Sequence, residues 1–240
     1  MTGLVLATLL ASGAAAQETL FTLLEKNLAA RGGYAAWKAV ETVRMTGTMA
    51  GGEAGPVPVV MEIMRPNLLR FEFQLLGQQV VQGFDGTSGW RLLSDGVTAT
   101  VDDMTAEQTM EFSRTADFEG PLLDWREKAY SLRYLGVDEG EGRSHLIEIT
   151  RPGGEMLNVY LDKDTYLTTL EQVFASSEAA VPKLETRLTA YQAVDGLALP
   201  FLYTISFPLT GTGQQLQLST VELNVPLSGS RFSRPEIDID

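Results

Sequence analysis

The chain has 240 residues, 44% of them hydrophobic and 20% charged, with a formal net charge of -13 and no cysteine. A nucleic-acid groove or a grip on anionic lipid head groups needs a basic patch, and a surface this acidic repels both. The lack of cysteine excludes disulfides, thiolate metal sites, a cysteine nucleophile and a lipid anchor attached through one.

The first stretch, MTGLVLATLLASGAAA, carries no charged side chain and ends in Ala14-Ala15-Ala16 before Gln17, an A-x-A cleavage site. Residues 1–16 therefore read as a secretory signal peptide without its usual positive start, a buried N-terminal helix being the other reading. The apolar run is too short to span a bilayer core of ~30 Å at about 1.5 Å per residue. Residues 17–240 show no internal repeat, low-complexity linker or composition break and read as a single domain.

Next, ETLFTLLEKNLAARGG puts Leu20, Leu23, Leu24 and Leu28 on one helical face and stops at Gly32-Gly33. A second short helix, YAAWKAV, follows. Strands are expected near 41–49, 57–65, 68–76, 79–84, 89–94 and 97–101, with turns at Asp85-Gly86 and Asp95-Gly96. From Thr105 to Ala129 the spacing becomes helical, and Pro121 divides it into two helical pieces. Strands resume near 130–137, 144–151, 156–162, 167–175, 183–193, 200–207 and 214–225.

This pattern predicts a mostly antiparallel sheet with a few helices on one side. Alternation assigns inward positions to Val43, Met45 and Met49, then Val59, Met61 and Ile63, then Leu69, Phe71, Phe73 and Leu75. Further along, the inward positions are Leu157, Val159 and Leu161, Leu170 and Phe174, Leu184 and Leu188, and Phe201, Tyr203, Ile205 and Phe207. So large an apolar face fits a sandwich core, which needs no ligand. It equally fits a curved half-barrel whose hollow takes a hydrophobic guest. Periodicity leaves both open.

Catalytic patterns are missing. The single histidine, His145, alternates with Ile147 and Ile149 as an ordinary strand residue, so a zinc site is not expected. There is no G-x-S-x-G elbow, G-x-G-x-x-G or P-loop. The carboxylate pairs Asp102-Asp103, Asp138-Glu139 and Asp162/Asp164 lie beside turns or charged neighbours as solvated groups. No enzyme, metal or cofactor is expected.

One junction is unusual. In MRPNLLRFEF, Arg65-Pro66-Asn67 separates two apolar strands, and Arg65 falls on the alternating face of Val59, Met61 and Ile63. Proline is confined to strand starts, edges and bulges, and an arginine on an apolar face has to find acceptors. Carbonyls at a helix C-terminus would serve; snorkelling to solvent from the strand end is the alternative.

This Met64-Arg65-Pro66-Asn67 turn, the strand LLRFEF after it, the phrase FDGTSGW (Phe84 to Trp90) and the closing NVPLSGSRFSRP (Asn224 to Pro235) resemble, in order, the LolA-like family of periplasmic outer-membrane lipoprotein carriers. The phrases KDTYLTTLEQVF and AVDGLALPFLYTI depart from the compact members and leave the cargo open. The resemblance implies an incomplete, half-open antiparallel β-barrel wrapped around a helical lid over an apolar cavity. It casts Arg65, Pro66 and Asn67 as the lid lock, the arginine bonding to lid backbone and letting go on loading. The implied cavity wall is Met45, Met49, Met61, Ile63, Leu69 and Phe71 with Phe73, Leu157, Val159, Phe201, Tyr203 and Ile205. The implied function is that of a soluble, unanchored periplasmic monomer carrying acyl chains of lipoproteins, or another lipid, from an inner-membrane release complex to an outer-membrane acceptor. The alternative is a periplasmic interaction or sensor protein with the same fold and a filled core.

Overall fold

The computed structural model describes residues 19–51, 55–140 and 142–236; the expected signal peptide lies outside them. Helix α1 (Leu20–Ala30) is capped by the Thr19 hydroxyl, which accepts from the Thr22 amide at 3.2 Å. It ends where Gly32 adopts φ +111, and after Gly33 the short α2 (Tyr34–Lys38) follows. Six strands come next: β1 (Thr42–Ala50), β2 (Val57–Met64), β3 (Leu68–Leu75), β4 (Gln78–Phe84), β5 (Gly89–Ser94) and β6 (Ala99–Asp103). The Asp85 and Asp95 carboxylates accept from amides two and three residues on, which makes both Asp-Gly turns.

Helix α3 (Ala106–Ser113) starts with a Thr105/Gln108 capping box. Beyond it run β7 (Ser131–Asp138), β8 (Ser144–Thr150), β9 (Met156–Asp162), β10 (Thr168–Phe174) and β11 (Leu184–Thr189). A small hairpin, β12 (Gln192–Val194) and β13 (Leu197–Leu199), precedes β14 (Leu202–Phe207) and β15 (Thr212–Leu223). Thirteen strands form one sheet in the order β6-β5-β4-β3-β2-β1-β15-β14-β11-β10-β9-β8-β7, and β12-β13 stands apart. Every neighbouring pair is antiparallel. The edges β6 and β7 are not paired to each other, so the sheet does not close into a barrel. These same two strands are consecutive in sequence, so residues 104–130 must bridge from one edge to the other.

The inner face carries two apolar clusters. One gathers Val43, Val59, Ile63, Leu69, Leu218 and Val221 around Trp37. The other gathers Ile147, Ile149, Leu157, Val159, Leu161 and Val173 under Leu122. Helix α1 bridges them, Leu20 and Leu24 packing on the second and Leu28 on the first. Outside, the C-terminal segment runs over β1 to β6: Phe232 is fully buried, its carbonyl accepts from Trp90 Nε1 at 2.9 Å, and Arg231 reaches the buried Glu62 at 2.8 Å.

Three expectations need correction. The strand expected over 183–193 breaks after Thr189, because Ala190 (φ +53) turns the chain off the sheet. The β12-β13 hairpin then buries Leu197 and Leu199 in the first cluster. The second helical piece of the 105–129 insert is a series of turns, since Gly120, Asp124 and Ala129 all take positive φ. Leu170 and Phe174 do not face inward: a register shift between Thr168 and Leu170 sets Leu170 against Tyr160 and Glu171 against Val159. Glu171 and Val173 take the inner positions instead.

Candidate functional site

Between the inner face and the crossing insert lies a cavity of about 320 Å³. Its sheet wall is apolar where Met45, Met61 and Ile63 face Leu216, Leu218 and Val221. The insert roofs it with Phe118, Pro121 and Leu122, and the small hairpin closes one side with Leu197 and Leu199. The remaining side, formed by the end of α1, strands β10, β11 and β14 and the chain after β11, mixes Leu188 and Ile205 with the polar Arg31, Glu171, Thr186, Tyr191 and Tyr203.

The roof is held by cations from the N-terminal part of the chain. Arg65 Nε donates to the Val40 carbonyl at 2.6 Å and its Nη2 to the Trp37 carbonyl at 3.0 Å, both just at or past the end of α2. The same Nη2 meets the buried Glu119 carboxylate of the insert at 2.5 Å, and the guanidinium lies 5.2 Å from the Phe118 ring. Lys38 reaches Asp124 at 2.8 Å, and Arg31 donates to the Glu119 carbonyl at 2.6 Å while covering the Trp37 ring. A buried arginine needs its donors met, and here one side chain joins strand end, helix end and roof. Pro66 follows through a cis peptide bond, and Asn67 Nδ2 donates to the Gly86 carbonyl at 3.4 Å, linking two turns.

The start of the insert is fastened separately. Glu155, at the turn between β8 and β9, accepts from Arg114, Arg151 and Lys183 at 2.8, 2.6 and 2.9 Å. Burial works against its charge, but these cations outweigh it and hold the carboxyl below the usual range.

Of the residues expected to form the cavity wall, Met45, Met61, Ile63, Tyr203 and Ile205 line it. Leu69, Phe71 and Phe201 pack in the first cluster beside it. Leu157 and Val159 lie in the second cluster. Met49 and Phe73 face a separate depression with Val57, Leu75 and Phe207.

Three solved structures share the fold of this chain. A DUF1329 family protein from Desulfovibrio piger matches with a TM-score of 0.62 and 10% identity, covering 90% of this chain and 98% of that one. A putative outer membrane lipoprotein-sorting protein domain from Vibrio parahaemolyticus matches at TM-score 0.58 and 14% identity, over 88% and 94%. A LolA superfamily protein from Nitrosomonas europaea matches at 0.57 and 14%, over 90% and 98%. The fold is LolA-like. No protein-family model matches the sequence, and no curated protein does.

Three residues of this site escaped the sequence reading. Glu119 sits in Phe118-Glu119-Gly120-Pro121, where the Gly-Pro break drew attention and the carboxylate did not. Arg31 ends α1 and reads as a helix-terminal cation, yet it lines the cavity. Glu171 is hidden by the register shift in β10. Burial drives the Glu171 carboxyl above its usual range and the Arg31 guanidinium below its own. Burial also raises Tyr191 and Tyr203 above the ordinary phenol value. Asp117 is raised by burial despite its ion pair with Lys128 at 2.7 Å.

His145 bonds the Tyr134 hydroxyl through Nδ1 at 2.9 Å and stacks on Tyr166. Among the described residues no group of His, Asp and Glu is placed to hold a metal ion, and no helix is long and apolar enough to cross a membrane.

Proposed function

We propose that the protein is a soluble periplasmic carrier, not an enzyme, that takes acyl chains of lipoproteins or of another lipid into this cavity and moves them toward the outer membrane. The observation that carries the reading is an apolar-walled cavity under a roof held by side-chain contacts from Arg65, Lys38 and Arg31. The resemblance of the RPN turn to lipoprotein carriers and the LolA-like fold support it.

Acyl chains leaving water gain ~0.8 kcal/mol per CH₂, so a cavity of this kind binds easily and releases with difficulty. A carrier therefore needs a term opposing the loaded state. At about 320 Å³ the cavity is at the small end of ligand pockets, which run roughly 300–1,000 Å³. Cargo with several chains has to lift the roof, and lifting it breaks the Arg65–Glu119 contact. Arg65 is then the lock: it penalises loading and helps expel cargo as it re-forms.

Native mass spectrometry of protein taken from a periplasmic extract, together with titration of a fluorescent fatty acid, tests this. Extra mass matching lipid and saturable binding at about one site are expected of a monomer. A folded protein that carries no extra mass and binds no acyl probe sinks the carrier reading and leaves an interaction or sensor protein built on the same fold.

A further inference from the structure

The cavity is not a uniform apolar hole. Glu171 projects into it from the inner face of β10, flanked across the sheet by Val159 and Thr186. Among the described residues no hydrogen bond or ion pair reaches its carboxylate. Arg31 stands at the same end, its charge close enough to act on Glu171, yet no ion pair joins the two. One Arg31 nitrogen is taken by the Glu119 carbonyl, and its face lies on Trp37. The Tyr203 hydroxyl lies on the same wall, and the Tyr191 hydroxyl already donates to the Thr168 carbonyl at 2.7 Å. Glu171 is half-buried, and its carboxylate faces the cavity instead of a protein partner. Core packing gives no reason for it where Val, Leu or Ile would fill the same inner position.

Taking the carrier reading as given, we infer that the Glu171–Arg31–Tyr203 end is a polar-group subsite and that the cargo is an acyl chain bearing a neutral amide. The amide N–H would donate to Glu171, its carbonyl would accept from Arg31 or Tyr203, and the chain would lie along Met45, Met61 and Leu218. On the alkaline side of its raised pKa, where Glu171 is ionised, charge selects this chemistry. A fatty-acid carboxylate is attracted by Arg31 but repelled by Glu171. An alkyl ammonium meets the reverse conflict. An ester supplies the acceptor and lacks the donor, leaving Glu171 unpaired. Only a neutral group with both a donor and an acceptor satisfies the two side chains together. The other charges that act on Glu171 are paired, Arg151 with Glu155 and Asp117 with Lys128.

The test is competition of lauramide, lauric acid, methyl laurate and laurylamine against a fluorescent acyl probe; the four share one chain and differ only at the polar end. Lauramide should bind at least about tenfold tighter than methyl laurate, as expected for a buried polar group left unpaired by the ester. In Glu171→Leu that preference should fall to within about threefold, with the ester binding at least as well as to wild type. Glu171→Gln, which keeps the shape but gains an N–H that an ester carbonyl can accept from, should narrow the preference as well and guards against a folding defect in the leucine variant. Equal binding of amide and ester to wild type, or an unchanged preference in Glu171→Leu, overturns the inference and leaves the carrier reading standing. Binding of none of the four overturns both.

Discussion

Replacing Arg65 with leucine separates two tasks that one guanidinium performs. Its bonds to the Val40 and Trp37 carbonyls tie the end of β2 to α2, whereas its bond to Glu119 and its contact with the Phe118 ring reach the roof. Glu119 is 8% exposed and Arg65 19%, so this contact lies largely out of water. A hydrogen bond to a charged group contributes ~1.5–3 kcal/mol, and stripping one partner from a buried pair costs about 3–5 kcal/mol. Lys38, at 3.8 Å and more exposed, partly compensates Glu119. A working figure for destabilising the closed roof is therefore about 2–3 kcal/mol, which at about 1.4 kcal/mol per tenfold raises roof opening roughly 30- to 100-fold. Hydrogen exchange at the Asp117 and Gly120 amides, which close the turns of the roof, should speed up by that factor. On the proposed carrier reading loading opens the roof, so Arg65→Leu should hold a labelled acyl lipid more tightly and hand it to vesicles more slowly. Arg65→Lys should fall between, since lysine keeps the charge but loses the planar fork. Adding Glu119→Leu to Arg65→Leu should recover part of that loss, because it removes the carboxylate that Arg65→Leu leaves buried with only Lys38 near it. Unchanged exchange in the roof, or release from Arg65→Leu as fast as from wild type, refutes the lock.

Three further outcomes are expected. Burial raises the folded-state pKa of Glu171, so its contribution to stability is full below the ordinary carboxylate value of about 4.3 and is lost as pH rises through the raised pKa; Glu171→Gln should therefore gain on wild type in urea denaturation from acid toward neutral pH, and a pH-independent gap would count against this. Phe232→Ala removes a fully buried ring under the outer segment and should cost about 3–5 kcal/mol by the same measurement, a loss below ~1 kcal/mol meaning that the segment contributes little. Gly32→Ala forces a side chain into φ +111 and against the Gly196 carbonyl, so the urea midpoint should drop by an amount worth more than about 1 kcal/mol; an unchanged midpoint would show that α1 and the small hairpin adjust freely.

Period carried most of the sheet. Strands β2, β3, β5 and β9 fall within a residue or so of their expected limits, because alternation and Asp-Gly turns are local signals. What failed was non-local or a matter of single dihedral angles. Ala190 looks like any strand residue, and its positive φ is set by the hairpin that docks on α1, where Ala198 N bonds the Arg31 carbonyl at 3.1 Å. The β10 register shift moved Glu171 inward, which no alternation rule can foresee. The helix-end acceptors for Arg65 were legible, since an arginine on an apolar face next to a short helix needs carbonyls. Its carboxylate acceptor was not, because Glu119 comes from a segment far away in the chain.

The strand order explains why this insert, and not some other segment, roofs the cavity. Because β6 and β7 are opposite edges, the residues joining them have to cross one face of the sheet. The outer face of the first half is already covered by the C-terminal segment, which is pinned by Arg231 to Glu62, Arg234 to Asp103 and the buried Phe232. The crossing therefore takes the inner face, where the apolar side chains of both halves need cover. A chain of turns covers that face less completely than a helix or a second sheet would, and the space it leaves is the cavity. The outer segment is fixed by an aromatic side chain in the core, which resists extraction. The central part of the insert is fixed by ion pairs and carbonyl bonds to Arg65, Lys38 and Arg31, which water can replace. On the proposed carrier reading, an amphiphile entering beneath the roof would exchange those polar contacts for hydrophobic ones, and cargo uptake and lid opening would be one coupled equilibrium.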